Sequence, residues 1–148
     1  MVGYQQYRPG APKQQNNPKE ARYFNKLKDC RVGVWGLESW NFTNTLFLTE
    51  GVFDAARLTK NGVSALAILT YRVGKTCDNW LWAVSKSRPI VSVCEGDSSG
   101  RKMSIYGHES LYLPDGEDVD SLDERQFEKF LTEVKACDVE MAKRKVCT

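Results

Sequence analysis

Six carboxylates stand in three short groups along this sequence: Glu50 and Asp54 in LFLTEGVFDA, Glu95 and Asp97 in IVSVCEGDSSGR, and Asp118 and Asp120 in LPDGEDVDSL. Asp54 follows Glu50 by four residues, so a helix opening after Gly51 sets Asp54 one turn on, toward the side where Glu50 leaves the preceding apolar run. The other two pairs share an i, i+2 spacing. Gly96, between Glu95 and Asp97, allows close approach of a ligand, and Gly100 lets a helix begin near the sheet. Carboxylates that converge repel one another, raise one another's pKa and destabilise the chain unless a cation stands between them. Oxygen donors alone select a hard ion, Mg²⁺ or Mn²⁺, over zinc. Such an ion stabilises charge on attacking and leaving phosphate oxygens, so the chemistry to expect is metal-assisted reaction at a phosphate. One acid at a strand end equally reads as a helix cap. Three in succession are harder to explain that way.

For the three groups to meet, the surrounding elements must alternate, and the sequence predicts that they do. Residues 46–49 (LFLT) form a short apolar strand, and a helix then runs to about Lys60, ended by Asn61-Gly62, both tolerant of a left-handed cap. Residues 63–69 give a second strand. A helix follows over residues 78–86, with Trp80, Leu81 and Val84 toward the core. Pro89 opens a third strand at 90–94, a helix runs from Gly100 to about Tyr106, and residues 110–113 make a fourth strand. Asp123 begins an amphipathic helix in which Phe127, Phe130, Leu131 and Val134 recur at i, i+3, i+4 and i+7. Alternation with near-continuous apolar strands implies an α/β fold: a mostly parallel four-stranded sheet with helices on both faces. Functional residues of such sheets lie beyond the carboxyl ends of the strands. That rule selects the loops at 50–54, 95–100 and 114–120, all rich in carboxylates.

Composition bounds the rest. With 148 residues, 41% of them hydrophobic, the chain has material for about one cored domain. No apolar run approaches the roughly 20 residues of a membrane span, and nothing resembles a signal peptide, so the expectation is a soluble intracellular protein without membrane contact. Five widely spaced cysteines without a CxxC pair predict reduced thiols, not a disulfide framework or a zinc site. A net charge of +2 supports no general polycation–nucleic acid attraction, but the charge is uneven. Residues 1–31 are basic (Arg8, Lys13, Lys19, Arg22, Lys26, Lys28, Arg31), whereas residues 115–124 hold acids and no base. A basic arm with an acidic cluster suits a metal site that handles a polyanion; a solvated arm and an acidic helix start explain the same charges. Residues 1–30, with Pro, Gln and Asn at 9–18, are read as an extended basic N-terminal arm with an edge strand at 3–8. Residues 31–40 are read as a short strand and turn.

Other residues have plainer readings. His108 stands alone as a histidine and is assigned to the surface or a cap. Ser98 and Ser99 are placed as caps of the helix that follows, with phosphate contact the sharper alternative. Arg72 and Lys75 follow the second strand on the acidic edge and could steer a phosphate backbone, or be solvated loop charges. Gly74-Lys75-Thr76 lacks the upstream glycine of a phosphate loop and is rejected as one. The four tryptophans form no regular stacking ladder.

At the acidic segments the sequence resembles the Toprim domain family, nearest the Toprim domains of bacterial and phage DNA primases. LFLTEGVFDA resembles the first Toprim motif, an apolar strand followed by Glu-Gly-x-x-Asp-Ala. IVSVCEGDSSGR resembles the second, a strand followed by Asp-x-Asp-x-x-Gly. LPDGEDVDSL is similar to a segment that follows in primases, and GYQQYR with residues 21–24 is similar to the stretch that precedes the domain there. The resemblance implies a Toprim domain over residues 31–122, behind the arm at 1–30 and before a C-terminal helix at 123–148 packed on it. It implies catalysis by Glu50, as general acid/base or metal ligand, and Mg²⁺ or Mn²⁺ held by Glu95 and Asp97 with Asp54, Asp118 and Asp120. Arg101 and Lys102 follow the motif glycine and join Arg72 and Lys75 as candidate phosphate contacts. Position 95 carries Glu where the family usually has Asp, a carboxylate one methylene further out. A primase's zinc-binding module and most of its amino-terminal lobe have no counterpart in these residues, so grip on template and nucleotides is expected to come from elsewhere or to be absent.

The function implied is metal-dependent action on nucleic acid, foremost primase-like nucleotidyl transfer in the replication of a phage or mobile element. The alternatives are a small Toprim nuclease cleaving DNA or RNA, and a non-catalytic nucleic-acid-binding accessory. Expected partners are single-stranded or duplex nucleic acid, nucleotides and a replication protein such as a helicase. The expected location is the cytoplasm of a bacterial or phage-infected cell.

Overall fold

Two short segments that mix aromatic and polar residues near the start of the chain pair into a small sheet of their own. In this computed structural model, which describes residues 3–13, 15–27, 32–70 and 73–146, the chain divides into two compact units, residues 1–33 and 34–148. In the first, β1 (Gly3–Tyr7) runs antiparallel to β2 (Tyr23–Leu27), with Tyr7 opposite Tyr23. The expected extended arm is thus folded back, and its strand belongs to a two-stranded sheet instead of edging the central one. The Pro- and Asn-rich connection is tied down by its own backbone bonds: Arg22 N–H donates to Pro12 O, Arg8 N–H to Arg22 O, and Arg22 Nε–H to Ala11 O. Arg72, Cys30 and Cys147 lie outside the described residues.

The second unit holds β3 (Leu46–Thr49), α1 (Val52–Lys60), β4 (Ala65–Ala67), α2 (Lys75–Ser85), β5 (Ile90–Cys94), α3 (Ser98–Met103), β6 (Glu109–Tyr112) and α4 (Glu124–Val146). The four strands form one parallel sheet in the order β4-β3-β5-β6. β3, β4 and β5 are buried at every position, as their unbroken apolar runs require of a sheet covered on both faces. Phe47, Ala65, Ala67, Val91 and Val93 share a core with Ala55 and Leu58 of α1 and with Phe127, Phe130, Leu131 and Val134 of α4. Strand alternation turns Leu46, Leu48, Ile90 and Ser92 to the opposite face, where Ser92 Oγ donates to Met103 O of α3 at 2.8 Å. Helix α4 is stopped at its start by a reciprocal cap: Gln126 N–H donates to Asp123 Oδ1 at 2.8 Å and Asp123 N–H to Gln126 Oε1 at 2.9 Å.

Several expected elements differ. Residues 32–40 contribute a single antiparallel bridge, Trp35 to Ala67, and a 3₁₀ turn at Leu37–Ser39. Gly36 explains the early stop: its φ is 100°, and a Cβ there would stand 2.4 Å from Ala65 O. The second strand is shortened to Ala65–Ala67; Leu69, expected within it, turns out at a left-handed φ of 65°. Helix α2 begins at Lys75, three residues early, and its buried pair is Cys77 and Leu81, with Trp80 and Val84 only half-buried. Helix α3 opens at Ser98, before Gly100, and its cap is Asp97 where Ser98 and Ser99 were expected. His108 accepts the Ile90 N–H through Nδ1 at 3.1 Å, a backbone anchor at the start of β5. Cys77, Cys94 and Cys137 are free thiols. No helix among the described residues is long and apolar enough to cross a membrane.

Candidate functional site

The sheet changes direction of winding between β3 and β5. The chain leaves β3 toward β4 on one side and leaves β5 toward β6 on the other, which makes the carboxyl ends of these two neighbours the switch point where sheets of this kind bind ligands. Glu50 is the residue after β3, and Glu95 is the residue after β5. Both are half-buried. The Glu50 carbonyl accepts the N–H of Leu69 at 3.0 Å, which ties the end of β3 to the left-handed turn after β4.

Each neighbouring acid is placed by a different local device. Gly51 caps α1, and its lack of a side chain leaves room for Asp54 Oδ2, which would stand 2.5 Å from an added Cβ. Asp54 is 6% exposed and accepts the Asp120 N–H through Oδ1 at 2.9 Å. Asp97 is the N-cap of α3 and accepts the Gly100 N–H through Oδ1 at 2.7 Å. Asp118 and Ser121 close a turn on each other, with Ser121 N–H donating to Asp118 Oδ1 at 2.8 Å and Asp118 N–H to Ser121 Oγ at 3.0 Å. Ser121 Oγ also donates to the Glu117 carboxylate. Asp118 is half-buried and Asp120 exposed.

The glycines between the groups serve the backbone. A Cβ on Gly100 would stand 2.1 Å from Glu95 O, so α3 starts hard against the main chain of Glu95, as expected. Gly96 was expected to admit a ligand; instead Pro114 fills the space, and a Cβ would stand 1.9 Å from its carbonyl oxygen. Gly96 N–H donates to Glu117 O at 3.2 Å. The second and third acidic loops are therefore in backbone contact.

Electrostatics joins the six acids into one field. The Glu95 carboxyl is pushed up to about 7, first by burial and then by Glu50, Asp54, Asp118 and Asp97. The Asp54 carboxyl is pushed up to about 7 by burial and by Asp118 and Asp120, against the lowering effect of the Asp120 and Val119 N–H groups. No cation is among these leading influences. Arg101 and Lys102, on the last turn of α3, and Lys75, at the start of α2, are exposed.

Oxygen-only donors are of the type that suits a hard divalent cation, and this set contains no other kind. Its side chains do not form a closed shell as they stand: among the described residues no group of three or more His, Cys, Asp or Glu is arranged to hold a metal ion. One oxygen each of Asp54, Asp97 and Asp118 is taken by a backbone N–H. The sequence reading did not include Arg57, whose Nη1 donates to three carbonyls of the third acidic loop. Its acceptors lie more than 60 residues away, and only its i, i+3 spacing from Asp54 marked it.

No family model matches the chain, and no curated protein matches it in sequence. In fold it is similar to solved primase structures. It aligns with the catalytic core of DnaG at a TM-score of 0.58 and 21% identity, over 78% of this chain and 44% of that one. The zinc-binding and RNA polymerase domains of the Aquifex aeolicus primase align at 0.62 and 20%, over 90% and 36%. The DnaG primase catalytic domain bound to single-stranded DNA aligns at 0.60 and 20%, over 90% and 47%. The chain thus spans less than half the length of each.

Proposed function

We propose that the second unit is a Toprim domain that binds Mg²⁺ or Mn²⁺ on its clustered acids and serves primase-like nucleotidyl transfer in DNA replication. The observation that carries this reading is the placement of Glu50 and Glu95 at the carboxyl ends of adjacent parallel strands, with Asp54, Asp97 and Asp118 in the field of Glu95. The fold likeness to primase catalytic domains supports it. Glu95 and Asp97 would hold the cation, joined by Asp118, Asp120 and Asp54. A cation bound there would supply charge neutralisation at the phosphate oxygens. Glu50, beside it, would hold or move the proton of an attacking hydroxyl. Lys75, Arg101 and Lys102, which are exposed, and Arg72 would draw in the phosphate backbone of a single-stranded or duplex partner. A helicase is the replication partner this reading calls for.

A second reading, binding of nucleic acid without catalysis, is favoured by one observation. Asp97 already uses one oxygen as the cap of α3, and the longer Glu95 stands in place of an aspartate. One experiment separates the readings. The whole chain is given single-stranded template and labelled nucleotides with Mn²⁺ or Mg²⁺, and separately labelled DNA and RNA. Primer synthesis that disappears in Glu50→Gln supports nucleotidyl transfer. Cleavage without synthesis makes the protein a Toprim nuclease, and binding unchanged by Glu50→Gln and Asp97→Asn makes it an accessory.

A further inference from the structure

Helix α1 grips the third acidic loop with two side chains one turn apart. Asp54 Oδ1 accepts the N–H of Asp120. Three residues on, Arg57 Nη1 donates to the carbonyls of Val119 at 2.9 Å, Asp120 at 3.1 Å and Leu122 at 2.7 Å. Asp120 is thus held from both sides of its Cα, its N–H by Asp54 and its carbonyl by Arg57. The guanidinium is itself fixed: its carbon lies 4.1 Å from the ring centroid of the buried Phe127, and its side chain is only 20% exposed. The ion pair of Arg57 with Glu124, at 3.7 Å, is a lesser part of this arrangement because Glu124 is 84% exposed and screened by solvent. A planar guanidinium has the donors to hold a run of carbonyls in one geometry; an ammonium on a flexible stem holds them less firmly.

We infer that Arg57 is a positioning residue of the acidic site. It fixes the backbone that carries Asp118 and Asp120, and so sets where those carboxylates stand relative to Glu95 and Asp54. The inference rests on the reading of the cluster as a cation site, and it adds a residue that touches neither cation nor substrate. Residues that orient metal-binding side chains from behind typically change affinity 10- to 100-fold when altered.

The test compares Arg57→Met, Arg57→Lys and Leu81→Ala in the whole chain. Leu81 is buried in α2, a helix outside the core that α1 and α4 share, and controls for loss of stability alone. Two quantities are read: hydrogen exchange of the Asp120 amide without metal, and Mn²⁺ affinity by electron paramagnetic resonance. Arg57→Met is expected to speed Asp120 exchange and weaken Mn²⁺ binding about tenfold. Arg57→Lys should recover part of both, while Leu81→Ala lowers the melting temperature and leaves both in place. Unchanged exchange and affinity in Arg57→Met would overturn the inference, as would an equal loss of affinity in Leu81→Ala. A wild-type chain that binds no Mn²⁺ would sink the cation reading itself, and Asp120 exchange would still decide whether Arg57 orders the loop.

Discussion

Asp54 Oδ1 accepts the backbone N–H of Asp120 at 2.9 Å, so the acid in the first turn of α1 also anchors a loop 66 residues further along the chain. The bond and the charge of Asp54 work against each other. The bond holds Asp120, whereas the charge is buried beside Asp118 and Asp120 and raises the energy of the ionised form.

Two substitutions separate these effects. Asp54→Asn keeps an acceptor for the Asp120 N–H and removes the charge, so the metal-free protein is expected to gain stability at pH 8. Asp54→Ala leaves that N–H without its partner and is expected to cost about 1–3 kcal/mol. Urea unfolding without metal reads both. A loss in Asp54→Asn as large as that in Asp54→Ala would contradict the account.

The pH dependence follows from the same groups. Folding raises Asp54 from 3.8, and Glu95 from 4.5, to about 7. Between about pH 4 and 7 the folded chain therefore keeps protons that the unfolded chain has released. Stability from these groups falls as pH rises through that window and levels off above it. The total is about 2–4 kcal/mol, less than the sum of two independent groups because they share neighbours and Glu95 is only half-buried. Melting temperature measured in chelator should be higher at pH 5 than at pH 8, and Glu95→Gln should flatten the slope. A stability that instead rises from pH 5 to 8 would count against the buried acids.

Asp97 is both a cap and a candidate ligand. Asp97→Ala is expected to cost about 1 kcal/mol through the lost Gly100 bond, whereas Asp97→Asn keeps the cap and should stay within a few tenths of a kcal/mol. Both should weaken Mn²⁺ binding alike. Thermal unfolding with a parallel Mn²⁺ titration distinguishes them; an Asn variant that binds Mn²⁺ as wild type does would leave Asp97 a cap alone.

Gly96→Ala tests the contact between the second and third loops. Its Cβ would meet the Pro114 carbonyl at 1.9 Å, with rigid backbone on both sides. The expected loss is about 3 kcal/mol in unfolding free energy, at the upper end for an overpacked site. A variant as stable as wild type would show that the loops separate freely.

The legible parts of this fold were those written in local pattern. The unbroken apolar runs LFLT and IVSVC gave their strands with correct bounds, and the 3.6-residue period of Phe127, Phe130, Leu131 and Val134 gave the buried stripe of α4. Glu50 and Glu95 directly follow those two strands. What local pattern did not carry was pairing at a distance. β2, mixed polar and aromatic, is a strand because it lies opposite Gly3–Tyr7. Gly96 is a glycine because Pro114, 18 positions on, occupies the space of its side chain. Arg57 carried no local mark of its role beyond its spacing from Asp54, since its acceptors at Val119, Asp120 and Leu122 adjoin it only in the folded chain.

The most direct test of the account is calorimetric titration of the whole chain with Mn²⁺ at pH 7.5, beside Glu95→Gln. Glu95 is the carboxyl on which Glu50, Asp54, Asp97 and Asp118 all act. The account expects wild type to bind Mn²⁺ with release of protons, and Glu95→Gln to lose at least tenfold in affinity. Absence of binding by wild type, or the same affinity in Glu95→Gln, would contradict it.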